Sequence, residues 1–308
     1  MAALIGTIIA FVTFGVVLKL LAVHHQPPTP VAFVNYAFAA AVTGTLALLS
    51  PESAGGPPVW VLGGVAGAAF VSGFFLNHRA VQQVGLSVAQ PIASLAVALP
   101  ILASVVLWNE RPTPAQVAAV LVVCPALVLL GSANPGSQPP PAASQSRLQP
   151  GDRTGPGPAG DTPLPGAVGG GRRTWGTLVA LFLVQGAVML APKALEELGY
   201  GGYRWGYLGV LFTVAAAGAG LRWSRTREEL TPRLAWLGVV FGTANVAATV
   251  LLLAALGSLP GIVVYPATSV GSMVLAGVVG ITVWSERPGR RALAGMALAV
   301  PSVFLLSA

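Results

Sequence analysis

Stretches of about 20 apolar residues recur from one end of this 308-residue chain to the other. No other feature restricts the fold as strongly. A run of that length matches the hydrocarbon thickness of a bilayer, and backbone polar groups at that depth must be satisfied within a helix or a closed barrel. The runs lie at about 2–22, 31–49, 58–76, 86–108, 114–131, 174–192, 203–221, 234–256, 261–284 and 291–307. Turn-forming clusters separate them, among them Gln26-Pro27-Pro28-Thr29-Pro30, Pro51 to Pro58, Arg111-Pro112-Thr113-Pro114 and Arg287-Pro288-Gly289-Arg290. Composition points the same way: 55% of residues are hydrophobic and 8% are charged, against about 25% charged in a soluble domain. The expected class is therefore an all-α polytopic membrane protein with ten transmembrane helices. A soluble enzyme, a nucleic-acid reader and a disulfide-stapled secreted domain are excluded as first readings. Cys124, the single cysteine, has no partner for an internal disulfide. The first run lacks a basic leader and a small-residue cleavage site, so a retained helix is expected.

Residues 132–173 break the pattern. These 42 positions hold 9 Pro and 9 Gly and offer almost no apolar surface to offset the entropy of ordering, which predicts a disordered linker. The linker divides the chain into a first half, 1–131, and a second, 174–308, which together are expected to form one membrane domain. The halves repeat each other at a constant offset of 176: Trp60 meets Trp236, Gly85 meets Gly261, Pro125 meets Pro301, and Trp108-x-Glu110-Arg111-Pro112 meets Trp284-x-Glu286-Arg287-Pro288. Five crossings per half is an odd number, so the second half enters the bilayer from the opposite side. The expectation is two inverted five-helix repeats, an architecture used by secondary transporters whose site lies near the midplane between the repeats.

Each half also has an internal Pro about five turns before a Glu at a helix end, Pro91 to Glu110 and Pro266 to Glu286. Each opens with a helix carrying Gly near one end and Lys near the other, Gly6 to Lys19 and Gly176 to Lys193. In these features the sequence resembles the EamA domain, the repeat unit of the drug/metabolite transporter superfamily. The resemblance covers both halves and excludes the linker. It implies a permease for small organic metabolites, amino acids, sugars or drugs, working in the inner (cytoplasmic) membrane as a multi-pass protein without a cofactor.

Polar side chains within hydrocarbon are costly and mark function or interhelical bonding. None of the nine acidic residues falls at mid-membrane: Glu52, Asp152, Asp161, Glu228 and Glu229 belong to loops, and Glu110, Glu196, Glu197 and Glu286 to helix ends. A proton/organic-cation antiporter with a membrane carboxylate is therefore disfavoured, as is a divalent-cation route. A facilitator, or exchange of neutral or zwitterionic solutes, fits better. The uncharged groups Asn35, Tyr36, Gln90, Gln185, Asn245, Tyr265, Thr268 and Ser269 both donate and accept, and form the expected substrate-binding set, led by Gln185 and Asn245. Pro91 and Pro266 each free a carbonyl one turn back and are expected to act as kinks or hinges. Glu110, Arg111, Glu286 and Arg287, with Lys19 and Lys193, form the expected interface or gating set. For each lysine, snorkelling to the membrane surface competes with pairing to an anion.

No phosphate-cradling loop and no convincing metal set stands out, so no catalytic residue, no bound metal and no nucleic-acid partner is expected; the partners are the lipid bilayer and a small-molecule solute. A membrane-embedded lipid-acting enzyme and a non-transporting sensor or scaffold are the rival classes. Thirteen of the 16 Lys and Arg residues lie on the linker side, and only Arg111, Lys193 and Arg204 on the other. The positive-inside rule then puts the linker in the cytoplasm and both termini outside, whereas the family resemblance implies cytoplasmic termini.

Overall fold

The computed structural model describes residues 2–23, 27–84, 95–111 and 172–284, together with scattered positions within 89–93, 113–125 and 294–298. Every regular element among them is helical. Four helices come from the first half: α1 (Ala2–Val23), α2 (Pro28–Leu49), α3 (Pro57–Val84) and α4 (Ala98–Val106). Four come from the second: α5 (Arg172–Glu197), α6 (Arg204–Thr226), α7 (Pro232–Leu256) and α8 (Gly261–Trp284). Among the described residues, α2, α3, α5, α7 and α8 each hold a stretch long and apolar enough to cross a membrane. Most of the expected linker, and the fifth and tenth expected spans apart from isolated positions, lie outside the described residues.

Local chemistry sets the helix ends. Pro28 and Pro232 stand at the first positions of α2 and α7, where a missing N–H costs nothing. Thr231 caps α7 by accepting from Leu234 N–H at 3.4 Å. Helix α5 stops where Gly199 takes a φ of +79°; its N–H donates to Glu196 O at 3.0 Å and Tyr200 N–H to Leu195 O at 2.9 Å. This paired closure needs a left-handed residue, which glycine supplies without steric cost.

The contacts between helices come in matched pairs. Helix α1 packs on α7 as α5 packs on α3; α2 packs on α7 as α6 packs on α3; and α1 meets α8 as α5 meets α4. Of the remaining pairs, α2 with α6 and α4 with α8 join helices at the same place in each half, while α7 also touches α5 and α8. Corresponding helices run in opposite directions. Leu4 near the start of α1 shares a core with Leu256 at the end of α7 and Ile262 at the start of α8. Lys193 near the end of α5 lies at that same start of α8. We call this end of the bundle the Lys193 face. At the other end, the Arg222 face, α2 and α7 begin and α6 finishes; Phe33 stacks at 5.1 Å on Trp223, and the Arg222 guanidinium lies 4.3 Å from the Phe75 ring.

Without a hydrophobic force between helices in lipid, tight packing must hold them, and small residues let backbones approach. Gly63 and Gly67 of α3 do this against α6: an added methyl would come within 2.7 Å of Tyr207 O and 2.3 Å of Leu211 O. Gly238 and Gly242 of α7 do the same against α2, meeting Val34 Cβ at 2.6 Å and Asn35 O at 2.8 Å. The core between these seams is built on α6, whose Tyr207, Leu208, Leu211, Phe212 and Ala215 are fully buried against α2 and α3. Large apolar side chains also face outward, including Leu48, Val65, Leu183 and Val283, as a lipid-facing surface requires. The repeat-matched Trp60 and Trp236 are both exposed, one near the Lys193 face and the other near the Arg222 face.

Candidate functional site

Two amides meet in the interior. Asn35 of α2 is fully buried and Asn245 of α7 nearly so, and Asn245 Nδ2 donates to Asn35 Oδ1 at 3.4 Å. The glycine seam of α7 brings the helices close enough for this contact, since Gly242 lies one turn before Asn245. The bond is long, and Asn35 Nδ2 has no partner among the described residues. A buried amide donor left unpaired costs about 1–3 kcal/mol, so this pair holds unused capacity for a polar ligand. Tyr36, the next residue on α2, is buried in the same core as Tyr207 of α6, whose hydroxyl also has no partner among the described residues.

A second constellation closes the Lys193 face. Lys193 is 3% exposed, and its Nζ lies 2.6 Å from Glu110 Oε1 and 2.5 Å from Glu197 Oε1. Beyond α4 the chain turns back at Asn109, which takes a φ of 53°, and Glu110 N–H donates to Ser104 O at 3.0 Å. The turn aims the Glu110 carboxylate at the start of α8: Oε1 accepts from Gly261 N–H at 3.0 Å and Oε2 from Ile262 N–H at 3.2 Å. One carboxylate from the first half thus caps a helix and neutralises a lysine of the second. Burial alone raises the Glu110 pKa, but the Lys193 ammonium and the two backbone N–H groups outweigh it and hold the carboxyl below its ordinary value. The Trp108 ring lies 5.9 Å from Lys193 Nζ, and Tyr265 donates to Met189 O at 2.7 Å, one turn below Lys193.

With these two constellations in view, comparison with known proteins adds a family. Residues 1–132 match the EamA-like transporter family. This stretch is an EamA-like transporter domain. A solved structure, described only as the crystal structure of a protein, covers 99% of this chain and 94% of its own, with a TM-score of 0.66 and 19% identity; the likeness is one of fold. No curated protein matches the chain. The match over residues 1–132 and the apolar helices across both halves indicate a multi-pass membrane protein.

The remaining residues expected from sequence have varied positions in the helix bundle. Gln185 faces α3, where an added methyl on Gly73 would come within 2.7 Å of its Oε1, and not the amide pair. Tyr265 and Thr268 are buried, and the Thr268 hydroxyl donates to Val264 O of its own helix at 2.6 Å; Ser269 is half-buried. Pro266 lies inside a continuous α8. Arg111 is exposed. Gln90, Pro91, Glu286 and Arg287 lie outside the described residues, as does the side chain of Lys19. Sequence reading passed over three groups. Glu197 was legible as the i+4 partner of Lys193. Tyr207 carries a hydroxyl in the apolar first half of α6. Ser104 gave no signal beyond being a hydroxyl in an apolar run.

A shallow open groove of about 420 Å³ runs between α1 and α7, lined by Gly6, Ala10, Val240, Ala247 and their neighbours. Its threonines are already satisfied, Thr13 by Ile9 O at 3.1 Å and Thr243 by Val239 O at 2.9 Å. Such a surface suits an acyl chain better than a polar solute.

Proposed function

We propose that this protein is a secondary carrier of small polar organic solutes, neutral or zwitterionic, that works by alternating access between two inverted repeats. The observation that carries the reading is the Asn35–Asn245 pair, which joins α2 of one half to α7 of the other with a buried donor to spare. Amides donate and accept without net charge, so they recognise hydroxyl, amide or carbonyl groups and need no ion to balance them. The matched helix contacts and the opposed directions of α1 and α5 support the inverted-repeat part of the proposal. In this reading the Glu110–Lys193–Glu197 cluster is a latch. It ties α4, α5 and α8 together at the Lys193 face and must open when the solute crosses that side. The arginine-rich Arg222 face is the cytoplasmic one in this reading, by the positive-inside rule.

Uptake into proteoliposomes tests the proposal. Purified protein screened against a broad set of labelled solutes is expected to give saturable flux of at least one solute, recovered chemically unchanged. Conversion of the solute, or no flux above empty liposomes for any class, contradicts it. Gln185→Leu, at the α3–α5 contact, is expected to lower flux while preserving expression; unchanged flux removes Gln185 from the binding set.

A further inference from the structure

The surroundings of Glu110 have the make-up of an anion site. The first two N–H groups of α8 donate to its carboxylate, and Lys193, 3% exposed and held on its other side by Glu197, lies beside it. A further donor is present and unused. Ser104 is fully buried, its Oγ has no partner among the described residues, and a methyl added to Gly261 would come within 2.6 Å of that oxygen. The hydroxyl therefore faces the first residue of α8. Glu110 itself rides on the non-helical turn after α4, so withdrawing its side chain breaks no helix.

We propose that the start of α8, Lys193 and Ser104 form a carboxylate-binding site, which the chain fills with its own Glu110 in this conformation and which a solute carboxylate fills when the Glu110 turn moves away. The tethered group acts as a competitor at high effective concentration, so a free carboxylate enters only as the latch opens. The site goes beyond the amide pair: it gives the Lys193 face a chemical preference of its own, for a solute end that is anionic.

The test is binding of acetate to full-length protein in phosphatidylcholine nanodiscs, where no lipid carboxylate competes. Sodium acetate is titrated against sodium chloride at equal ionic strength, to remove screening effects, and thermal unfolding is followed. Glu110→Ala is expected to show a saturable rise in Tm with acetate and none with chloride. Wild type is expected to need a roughly tenfold or higher acetate concentration for the same rise. Adding Lys193→Met or Ser104→Ala to Glu110→Ala should weaken the response. Glu110→Gln keeps the volume and one acceptor, and should respond between the two. If Glu110→Ala proves too unstable to purify in chloride, acetate in the buffer must restore it. Equal responses to acetate and chloride, or a response that survives Lys193→Met unchanged, overturns the proposal, as does acetate failing to rescue an unstable Glu110→Ala. Because binding and not flux is read, this result is separable from failure of the transport reading.

Discussion

Two corresponding seams hold the halves together, and they differ in one respect. Helix α3 meets α6 across Gly63 and Gly67, and α7 meets α2 across Gly238 and Gly242. In each case two glycines four residues apart bring backbone against backbone. Next to the first seam, Phe70 and Phe212 stand edge to face with centroids 6.2 Å apart. Next to the second, Asn245 stands three residues past Gly242, as Phe70 stands three past Gly67, and it meets Asn35. An apolar aromatic pair, worth about 0.5–1.5 kcal/mol beyond its burial, is therefore sufficient to complete such a seam. The amide pair brings a stretched bond and an unpaired N–H instead, so packing does not account for its presence. In the proposed carrier that spare donor is the one offered to the solute.

The largest expected effect is at the aromatic seam. Phe212→Ala removes a fully buried ring and should destabilise the protein by about 3–4 kcal/mol, read from denaturation in detergent. Next come the glycines: Gly67→Leu and Gly242→Leu each push a side chain into opposing backbone and should cost about 2–3 kcal/mol. The comparison requires the two costs to be similar; a seam that tolerates the change where its counterpart does not breaks it. Smaller in stability is Asn245→Leu, expected within about 1 kcal/mol of wild type, since interhelical hydrogen bonds in lipid average about 0.6 kcal/mol. Its flux should nevertheless fall roughly tenfold or more, as expected when a site's polar group is left unpaired. A large stability loss with flux intact would make the amides structural and equate the two seams.

The smallest expected effect is that of mild acid. Neither seam carries a titratable carboxylate, and Glu110 at the latch is held below its ordinary value of 4.5. A lowered folded-state pKa means that the stabilisation is in full force above the unfolded value and disappears only as pH drops through the folded one. Flux and Tm contributions from this group should stay flat from about pH 8 to pH 5 and decline below about 4.5. A several-fold rise in flux between pH 7 and pH 5 would instead require a coupled proton and a group that the seams lack.

Much of the scaffold was legible in the chain because its signals are local. Apolar runs set the order of the described helices, and Pro28, Pro232 and the Pro/Gly clusters set where they begin and end. Where runs and helices disagree, charge is the reason. Helix α5 continues to Glu197 and α3 to Val84, past the apolar limits near 192 and 76, because hydropathy falls at Lys193 or Arg79 while backbone hydrogen bonding does not. Likewise α5 begins at Arg172, two residues inside the expected linker. The site was less legible. Asn35 and Asn245 stand 210 residues apart and Glu110 and Lys193 stand 83 apart. Nothing local to either partner announces the other, since helical spacing fixes which residues share a face but not which helix that face meets. The Glu110 partnership also depends on the left-handed turn at Asn109, and an isolated Asn does not reveal that turn.

The most direct test of alternating access needs no substrate. In a Cys124→Ser background, Asn35→Cys places a single thiol at the centre, and membrane-impermeant thiol reagents are applied to sealed vesicles from either side. Reaction from both sides is expected, with Lys193→Met raising the rate from the Lys193 face by opening the latch. Reaction from one side alone, at a rate that the latch substitution leaves unchanged, would contradict it.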